Sequence, residues 1–203
     1  MQHTATTQIA VDLYLHVRVL IGILLGLSVV RLVGGVARFV QHPGRQRISL
    51  IHLGWVAWAV LNVVTFWWWE FGLSRIEWNF GIYFFVCLYA SMFFFLSVLL
   101  FPDDLREYDG YQDYFLSRRV WFFGFVALTE LLDVVDTWIK GTEYLRSLGP
   151  EYPVRIALFV IFCGVAAATR NRMFHLVFVF VGLAYEIVFF VQHYFYVGVS
   201  SPR

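Results

Sequence analysis

Charged side chains are scarce in this sequence. They make up 14% of the 203 residues, whereas 60% of the residues are apolar and 20% are aromatic. Together with a mean hydropathy of +0.70, this composition excludes an ordinary soluble domain and predicts a membrane protein. The formal net charge of +1 gives no electrostatic reason to bind nucleic acid. We therefore expect the lipid bilayer as a partner, and no nucleic acid.

Several functional motifs are also missing. The sequence has no glycine-rich phosphate loop, no His-Glu-x-x-His zinc motif, no Gly-x-Ser-x-Gly elbow and no Thr-Val-Gly-Tyr-Gly potassium filter. The two cysteines, Cys87 and Cys163, lie within apolar runs, where a thiol behaves as a small hydrophobic group. The sequence therefore predicts neither a disulfide framework nor an enzyme of these classes, and it assigns no cofactor or metal.

Polar breaks divide the chain into six apolar runs. Most reach the roughly 20 residues that a spanning helix needs, and none shows the alternation of an outer-membrane barrel strand. The predicted fold class is therefore an all-α bundle of six transmembrane helices in a single domain, residues 1–203. A short helix in the headgroup region is predicted at 102–119, where apolar residues recur at helical spacing. The six predicted spans are 14–39, 51–71, 80–101, 120–139, 154–169 and 173–197.

Basic residues predict the orientation of the bundle. The connections after the first, third and fifth helices hold seven arginines, and the opposite connections and C-terminal segment hold four basic residues. Because Lys and Arg concentrate in cytoplasmic loops, we expect the N and C termini to lie outside and the chain to be a multi-pass protein of the inner (plasma) membrane. The seven arginines are Arg45, Arg47, Arg106, Arg118, Arg119, Arg170 and Arg172.

The fourth predicted helix carries three carboxylates, Glu130, Asp133 and Asp136, in otherwise apolar sequence. A charge at the centre of a bilayer costs about 2.5 kcal/mol or more unless it is paired or hydrated, so intramembrane acids are candidates for function. At 100° per residue the three share one broad face. Asp136 has an alternative explanation, because it can pair with Lys140 four residues later.

The sixth predicted helix supplies a second polar face with Glu186 and His193. We predict that Glu130 and Glu186 face each other across one cavity, and that at least one is protonated or bound to a cation near neutral pH. Two carboxylates close together in a poorly hydrated site do not both remain ionised. For His193, a place in the interfacial aromatic belt is an equal alternative.

Two arginines on the first helix are candidate partners. Arg18 lies in the outer part, beside the predicted acids, while Arg31 in the inner half is either an electrostatic gate or a side chain that reaches the inner surface. With Glu70 included, five acids face these two arginines, so pairing alone leaves three acids unmatched. Protonation, a bound cation or a water-filled vestibule would resolve the surplus. Gly22-x-x-x-Gly26 offers a flat patch for close helix packing.

Three functions fit these features. The first is a small transporter or channel for protons or cations. The second is a non-catalytic accessory subunit of a larger membrane complex, with a homo-oligomer as a further possibility. The third is an intramembrane metal or haem protein that uses His193 or His16 near one surface and His52 or His175 near the other. The transport hypothesis assigns the relay to Glu130, Asp133, Asp136, Glu186, His193 and Arg18.

Overall fold

The molecule is almost entirely helical. The computed structural model describes the backbone of residues 2–45 and 47–192, and the side chains of residues 13–192 except Gln46 and Arg75. This part of the chain contains seven α-helices and no strand, so the predicted all-α fold class is confirmed. A 3₁₀ segment, Glu70–Arg75, continues α2. The helices are α1 (Gln2–Gln41), α2 (Leu50–Trp69), α3 (Phe80–Leu100), α4 (Tyr111–Ile139), α5 (Thr142–Ser147), α6 (Glu151–Ala168) and α7 (Arg172–Phe190).

Five of the six predicted spans are long and apolar enough to cross a membrane. α4, the remaining one, is 29 residues long, but its acids make it less apolar than a typical span. Large apolar side chains also cover the outside of the bundle, where Val30, Val40, Phe80 and Trp138 are 68% to 79% exposed. Such an exterior is compatible with contact to lipid. The five segments are Leu13–Gln41, Leu50–Ser74, Phe80–Leu100, Glu151–Ala168 and Arg172–Phe190.

The prediction of a separate headgroup helix at 102–119 is wrong. Residues 101–110 form turns, and α4 begins at Tyr111 and continues unbroken to Ile139. Gly110 marks the boundary with a φ of +119°, a conformation that residues with a side chain rarely adopt. After Gly110 the helix meets no proline, and arginine is a good helix former. The aromatic residues that suggested a separate element are therefore the first turns of α4.

α2 lies at the centre of the bundle. The helices α1, α3, α4 and α6 pack side by side in that order, α2 packs against α1, α3 and α4, and α7 packs against α2 and α6. Glycines allow close approach, because Trp67 of α2 lies on Gly22 and Val179 of α7 lies on Gly54. Of the predicted glycine patch only Gly22 meets a neighbour. Among the described residues, nothing lies within 4 Å of a Cβ placed at Gly26.

An aromatic layer fills the middle of the bundle. The ring of Trp55 is fully buried and lies 5.2 to 5.5 Å from four other rings, all near edge-on. On α4 and α7, Phe122 and Phe178 in this layer precede Glu130 and Glu186 by eight residues, or about 12 Å along a helix. We call the part beyond the layer, which holds these acids, the acidic half. The connections α1–α2, α3–α4 and α6–α7 form the opposite, basic end.

Candidate functional site

Three helices bring charged side chains together in the acidic half. α4 supplies Glu130 and Asp133, which lie on one face because they are three residues apart. α6 packs along α4 and contributes Arg155 from its second turn, and α7 contributes Glu186. We call these four residues the Arg155 cluster. Glu130 and Glu186, which the sequence placed on separate walls, line the same cavity.

Arg155 lies between the three carboxylates. Its Nη1 atom is 3.6 Å from Oε2 of Glu130 and 4.0 Å from Oε1 of Glu186, and its Nη2 atom is 3.7 Å from Oδ2 of Asp133. The Glu130 side chain is only 7% exposed and that of Arg155 is 17% exposed. Three carboxylates against one guanidinium give the cluster a charge of −2 when every group is ionised. One arginine therefore offsets only part of the negative charge.

The spacing within the cluster leaves room for water. Direct hydrogen bonds between charged groups are about 2.7–2.9 Å long, shorter than all three contacts of Arg155. The adjoining cavity has a volume of about 80 Å³ and is also lined by Asn62, Thr65 and Thr129. A single ordered water needs about 10–15 Å³. Several waters can therefore bridge the arginine and the acids.

Two tyrosine hydroxyls also donate hydrogen bonds to Asp133. The Tyr152 hydroxyl donates to Oδ2 of Asp133 at 2.9 Å, and the Tyr89 hydroxyl donates to Oδ1 at 3.4 Å. Oγ1 of Thr137 lies 3.1 Å from the Tyr152 hydroxyl. Neutral donors stabilise a carboxylate without changing the charge of the site. Asp133 is therefore the cluster acid with the most hydrogen bonds, and the hydroxyls extend the polar network toward Asp136.

A second buried group of charged residues lies beyond the Arg155 cluster, near the C-terminal end of α4. Lys140 donates from Nζ to Oε1 of Glu70 at 2.9 Å and also to Oδ2 of Asp136. The side chains of Lys140, Glu70 and Asp136 are 1%, 4% and 0% exposed, and we call them the Lys140 triad. Asp136 thus pairs with Lys140, the alternative left open by the sequence. Within the described residues, Oε2 of Glu70 and Oδ1 of Asp136 have no hydrogen-bond partner.

Among the described residues, the five acids of the acidic half have two cationic partners, Arg155 and Lys140. Arg18, which the sequence suggested as a partner of these acids, is not one of the two. Its guanidinium lies over the rings of Tyr14 and Phe71, at 5.6 and 5.9 Å, which are cation–π distances. Arg18 makes no ion pair within the part of the chain that the structure describes. The surplus of three acids over their bases is nevertheless the same as the sequence suggested, because two other cations take the place of Arg18 and Arg31.

Arg31 lies at the basic end, away from the acids. Its Nε and Nη2 atoms donate to the carbonyl oxygen of Phe101 at 3.0 and 2.6 Å, and Nη2 lies 2.7 Å from Oδ1 of Asp103. It thereby binds the C-terminal end of α3, where carbonyls lack helical partners. Of the two hypotheses for Arg31, these contacts favour a side chain that reaches the surface at the basic end over a gate. Nearby, a hydrogen bond from Arg106 lowers the pKa of the exposed Asp104 below its usual range.

The histidines in the described part of the chain are packed or exposed. The Nε2 atoms of His52 and His175 lie 2.7 and 3.0 Å from backbone carbonyl oxygens, to which they can donate. His16 is exposed, and His193 lies outside the described residues. Within residues 13–192, no three His, Cys, Asp or Glu side chains form a group that could hold a metal ion. The metal and haem hypothesis gains no support here.

Sequence reasoning placed Arg155 just inside the predicted helix 154–169 and considered Lys140 only as a partner of Asp136, so it connected neither residue with the other acids. One signal was present, since proline is favoured in the first turn of a helix and Pro153 follows Pro150 and Glu151. α6 accordingly begins at Glu151, three residues before the predicted start, so Arg155 lies in the second turn of the helix and not at its very beginning. Comparisons with protein-family models, curated proteins and solved structures find no match to this chain.

Proposed function

We propose that this chain is a small membrane transporter for protons or cations and that the Arg155 cluster is its uptake site. In this proposal α4 is the sixth span, both termini lie outside, and the protein resides in the plasma membrane. The acidic half then faces outward, and the arginine-rich basic end faces the cytoplasm. The chain works alone or as a homo-oligomer.

One observation carries the proposal: three carboxylates converge on a single arginine beside a cavity of about 80 Å³. Ionised acids at this depth are costly unless their charge is offset. A proton or a cation that enters the cavity reduces the excess negative charge and is therefore attracted to it. An inert bundle has no need of two unpaired carboxylates in such a place.

The aromatic layer favours a gated transporter over an open channel. Trp55, Phe122 and Phe123 are fully buried beneath the cluster, between it and the basic end. An open channel needs a continuous polar path, which these rings interrupt. Passage to the basic end therefore requires the rings to move, so the uptake site is open to one side at a time.

Flux in liposomes tests the proposal. The purified protein is reconstituted, a pH or cation gradient is applied, and the change is followed with an enclosed dye. We expect Glu130→Gln and Glu186→Gln to fold like the unchanged protein but to lose pH-dependent flux, because an amide keeps the shape and cannot titrate. Glu143→Gln is the matched control, because Glu143 is 95% exposed on α5 and pairs only loosely with Arg146 at 3.7 Å.

Two outcomes would contradict transport. Both cluster variants could conduct as fast as the unchanged protein, or the unchanged protein could conduct no faster than empty liposomes. In either case the accessory-subunit hypothesis becomes the better one, and the mass of the native complex after gentle solubilisation then becomes the decisive measurement.

A further inference from the structure

A second cavity lies between α6 and α7. Its volume is about 450 Å³, and its walls are almost entirely apolar. α6 packs mainly on α4, and α7 packs mainly on α2, so these two consecutive helices contact each other little and leave a groove. Leu158, Phe162 and Val181 on its rims are 50%, 45% and 62% exposed, so the groove opens to the apolar surface of the bundle. We call it the α6–α7 groove.

The groove is polar at one end only. Arg155 lines both this groove and the cavity of the Arg155 cluster, so the two spaces meet at that side chain. At the same end, the Tyr185 hydroxyl donates to Oε1 of Glu151 at 3.0 Å and links α7 to α6. Everything else in the lining is apolar or glycine. A molecule with one polar head and one apolar chain matches this distribution.

Charge decides what kind of head fits. The cluster holds three carboxylates against one guanidinium, so negative charge remains in excess even when one of Glu130 and Glu186 is protonated, and this excess would repel an anionic head beside Arg155. A cationic head would offset part of that excess. Arg155 leaves the acids available, because its contacts of 3.6 to 4.0 Å are longer than direct hydrogen bonds. The rings of Tyr152 and Phe189 flank the guanidinium at 5.5 and 5.7 Å and thereby hold Arg155 in place at this end of the groove.

We propose that the α6–α7 groove binds an amphiphilic cation, a molecule with one alkyl chain and an amine or quaternary ammonium head. The chain lies in the groove, and the head reaches the carboxylates of Glu130 and Glu186. The groove has the volume of a small-molecule pocket, roughly 300–1,000 Å³, with the few polar groups that such pockets use for orientation. This inference rests on the proposed function, because it names an organic cation as a ligand of the same uptake site, but binding itself requires no transport.

Gly182 provides a way to fill the groove. It is buried on α7, and a Cβ there would lie 3.6 Å from Cε2 of Phe159, which is an ordinary contact. Gly182→Ala should therefore be tolerated, whereas Gly182→Leu should occupy the space of the alkyl chain. Gly124→Leu on α4 is the matched control, because Gly124 is exposed and no described atom lies within 4 Å of a Cβ there. Leu158→Trp fills the groove from the opposite wall if Gly182→Leu does not fold.

Equilibrium binding of radiolabelled dodecyltrimethylammonium to the protein in lipid nanodiscs tests the proposal. We expect saturable binding that unlabelled tetramethylammonium, which has the head without the chain, does not displace at the same concentration. Gly182→Leu or Leu158→Trp should weaken binding at least tenfold, and so should Glu186→Gln. Gly182→Ala and Gly124→Leu should bind like the unchanged protein.

Three results would overturn the proposal: no saturable binding, equal binding by the groove-filling variants, or equal displacement by dodecyl phosphate, which has the same chain and an anionic head. Binding that depends on the chain but survives both Glu130→Gln and Glu186→Gln would show that a neutral lipid chain occupies the groove, and it would also refute the cationic head.

Flux without amphiphile is measured separately. Loss of binding with intact flux therefore removes only this inference, and loss of flux with intact binding removes only transport.

Discussion

The Nη1 atom of Arg155 lies 3.6 Å from Oε2 of Glu130, across the interface between α6 and α4. Both side chains are mostly buried, and the same guanidinium also approaches Asp133 and Glu186. A single arginine therefore holds acids from two other helices in place. The stability of the acidic half should therefore depend strongly on this residue.

Replacing Arg155 by methionine should lower the free energy of unfolding by about 3–5 kcal/mol, because removing one partner of a buried ion pair leaves charge uncompensated. Thermal unfolding in detergent measures the change. The loss of stability should be smaller at lower pH, because protonation of Glu130 and Glu186 removes charges that Arg155 no longer offsets. Arg146→Met is the control, since its pair with Glu143 is exposed and worth about 0–1 kcal/mol. Equal stability of the two variants would contradict the central role of Arg155.

The Lys140 triad should be equally important for stability, and a double variant can test whether its groups act together. Lys140→Met should destabilise the protein by about 3–5 kcal/mol, because Glu70 and Asp136 would be left buried without their cation. Adding Asp136→Asn to Lys140→Met should recover part of the lost stability, because it removes one of the two carboxylate charges that no longer have a cation. A thermodynamic cycle of the single and double variants measures the coupling. Strictly additive effects would show that the three groups do not act together.

The Tyr152 hydroxyl should contribute to stability through Asp133. Tyr152→Phe removes a donor 2.9 Å from Oδ2 of Asp133, and a hydrogen bond to a charged group is worth about 1.5–3 kcal/mol. Tyr185→Phe is the comparison, because its hydrogen bond to Glu151 is exposed and water can replace it. Thermal unfolding of the two variants side by side checks the prediction, which fails if Tyr152→Phe is as stable as Tyr185→Phe.

Much of the fold could be predicted from the sequence, because composition and run length decide whether a segment can span a bilayer. Helical periodicity likewise indicated that Glu130 and Asp133 share a face. The unbroken start of α4 was missed, since the polar residues at 117–119 suggested a break, whereas helix propensity continues through them. The local signal at Gly110 defines the boundary only when its positive φ is known.

The pairing of charges could not be predicted in the same way. Arg18 was the nearest arginine in depth, but depth does not fix which face of a helix meets which neighbour. Arg155 and Lys140 lie near helix ends, where a long side chain reaches inward as easily as outward. Only the packing of α6 along α4 decides that Arg155 points toward the acids. The number of acids, by contrast, could be counted from the sequence without knowing how the helices pack. The cations counted against them, Arg18 and Arg31, are not the ones that contact them.

The two cysteines should be dispensable for activity. Cys87 is half-buried and Cys163 is buried, and both are free thiols that take no part in the ion pairs of the cluster. Cys87→Ala and Cys163→Ala should each retain flux within about twofold of the unchanged protein, since they remove only small apolar contacts. Loss of flux in a well-folded variant would assign a role to a thiol that the proposed function does not contain.

The last prediction concerns the orientation of the bundle in the membrane. The arginine-rich basic end should be cytoplasmic, so a reporter that is active only outside the cytoplasm should work when it is fused after Arg203. A fusion within the α3–α4 connection, residues 101–110, should be inactive and serves as the matched control. The acids then take up protons or cations from the outer side, and flux should respond to the external pH before the internal pH. The reverse pattern of reporter activity would place the Arg155 cluster near the cytoplasm and would invert the direction of uptake, while leaving the ion pairs around Arg155 unchanged.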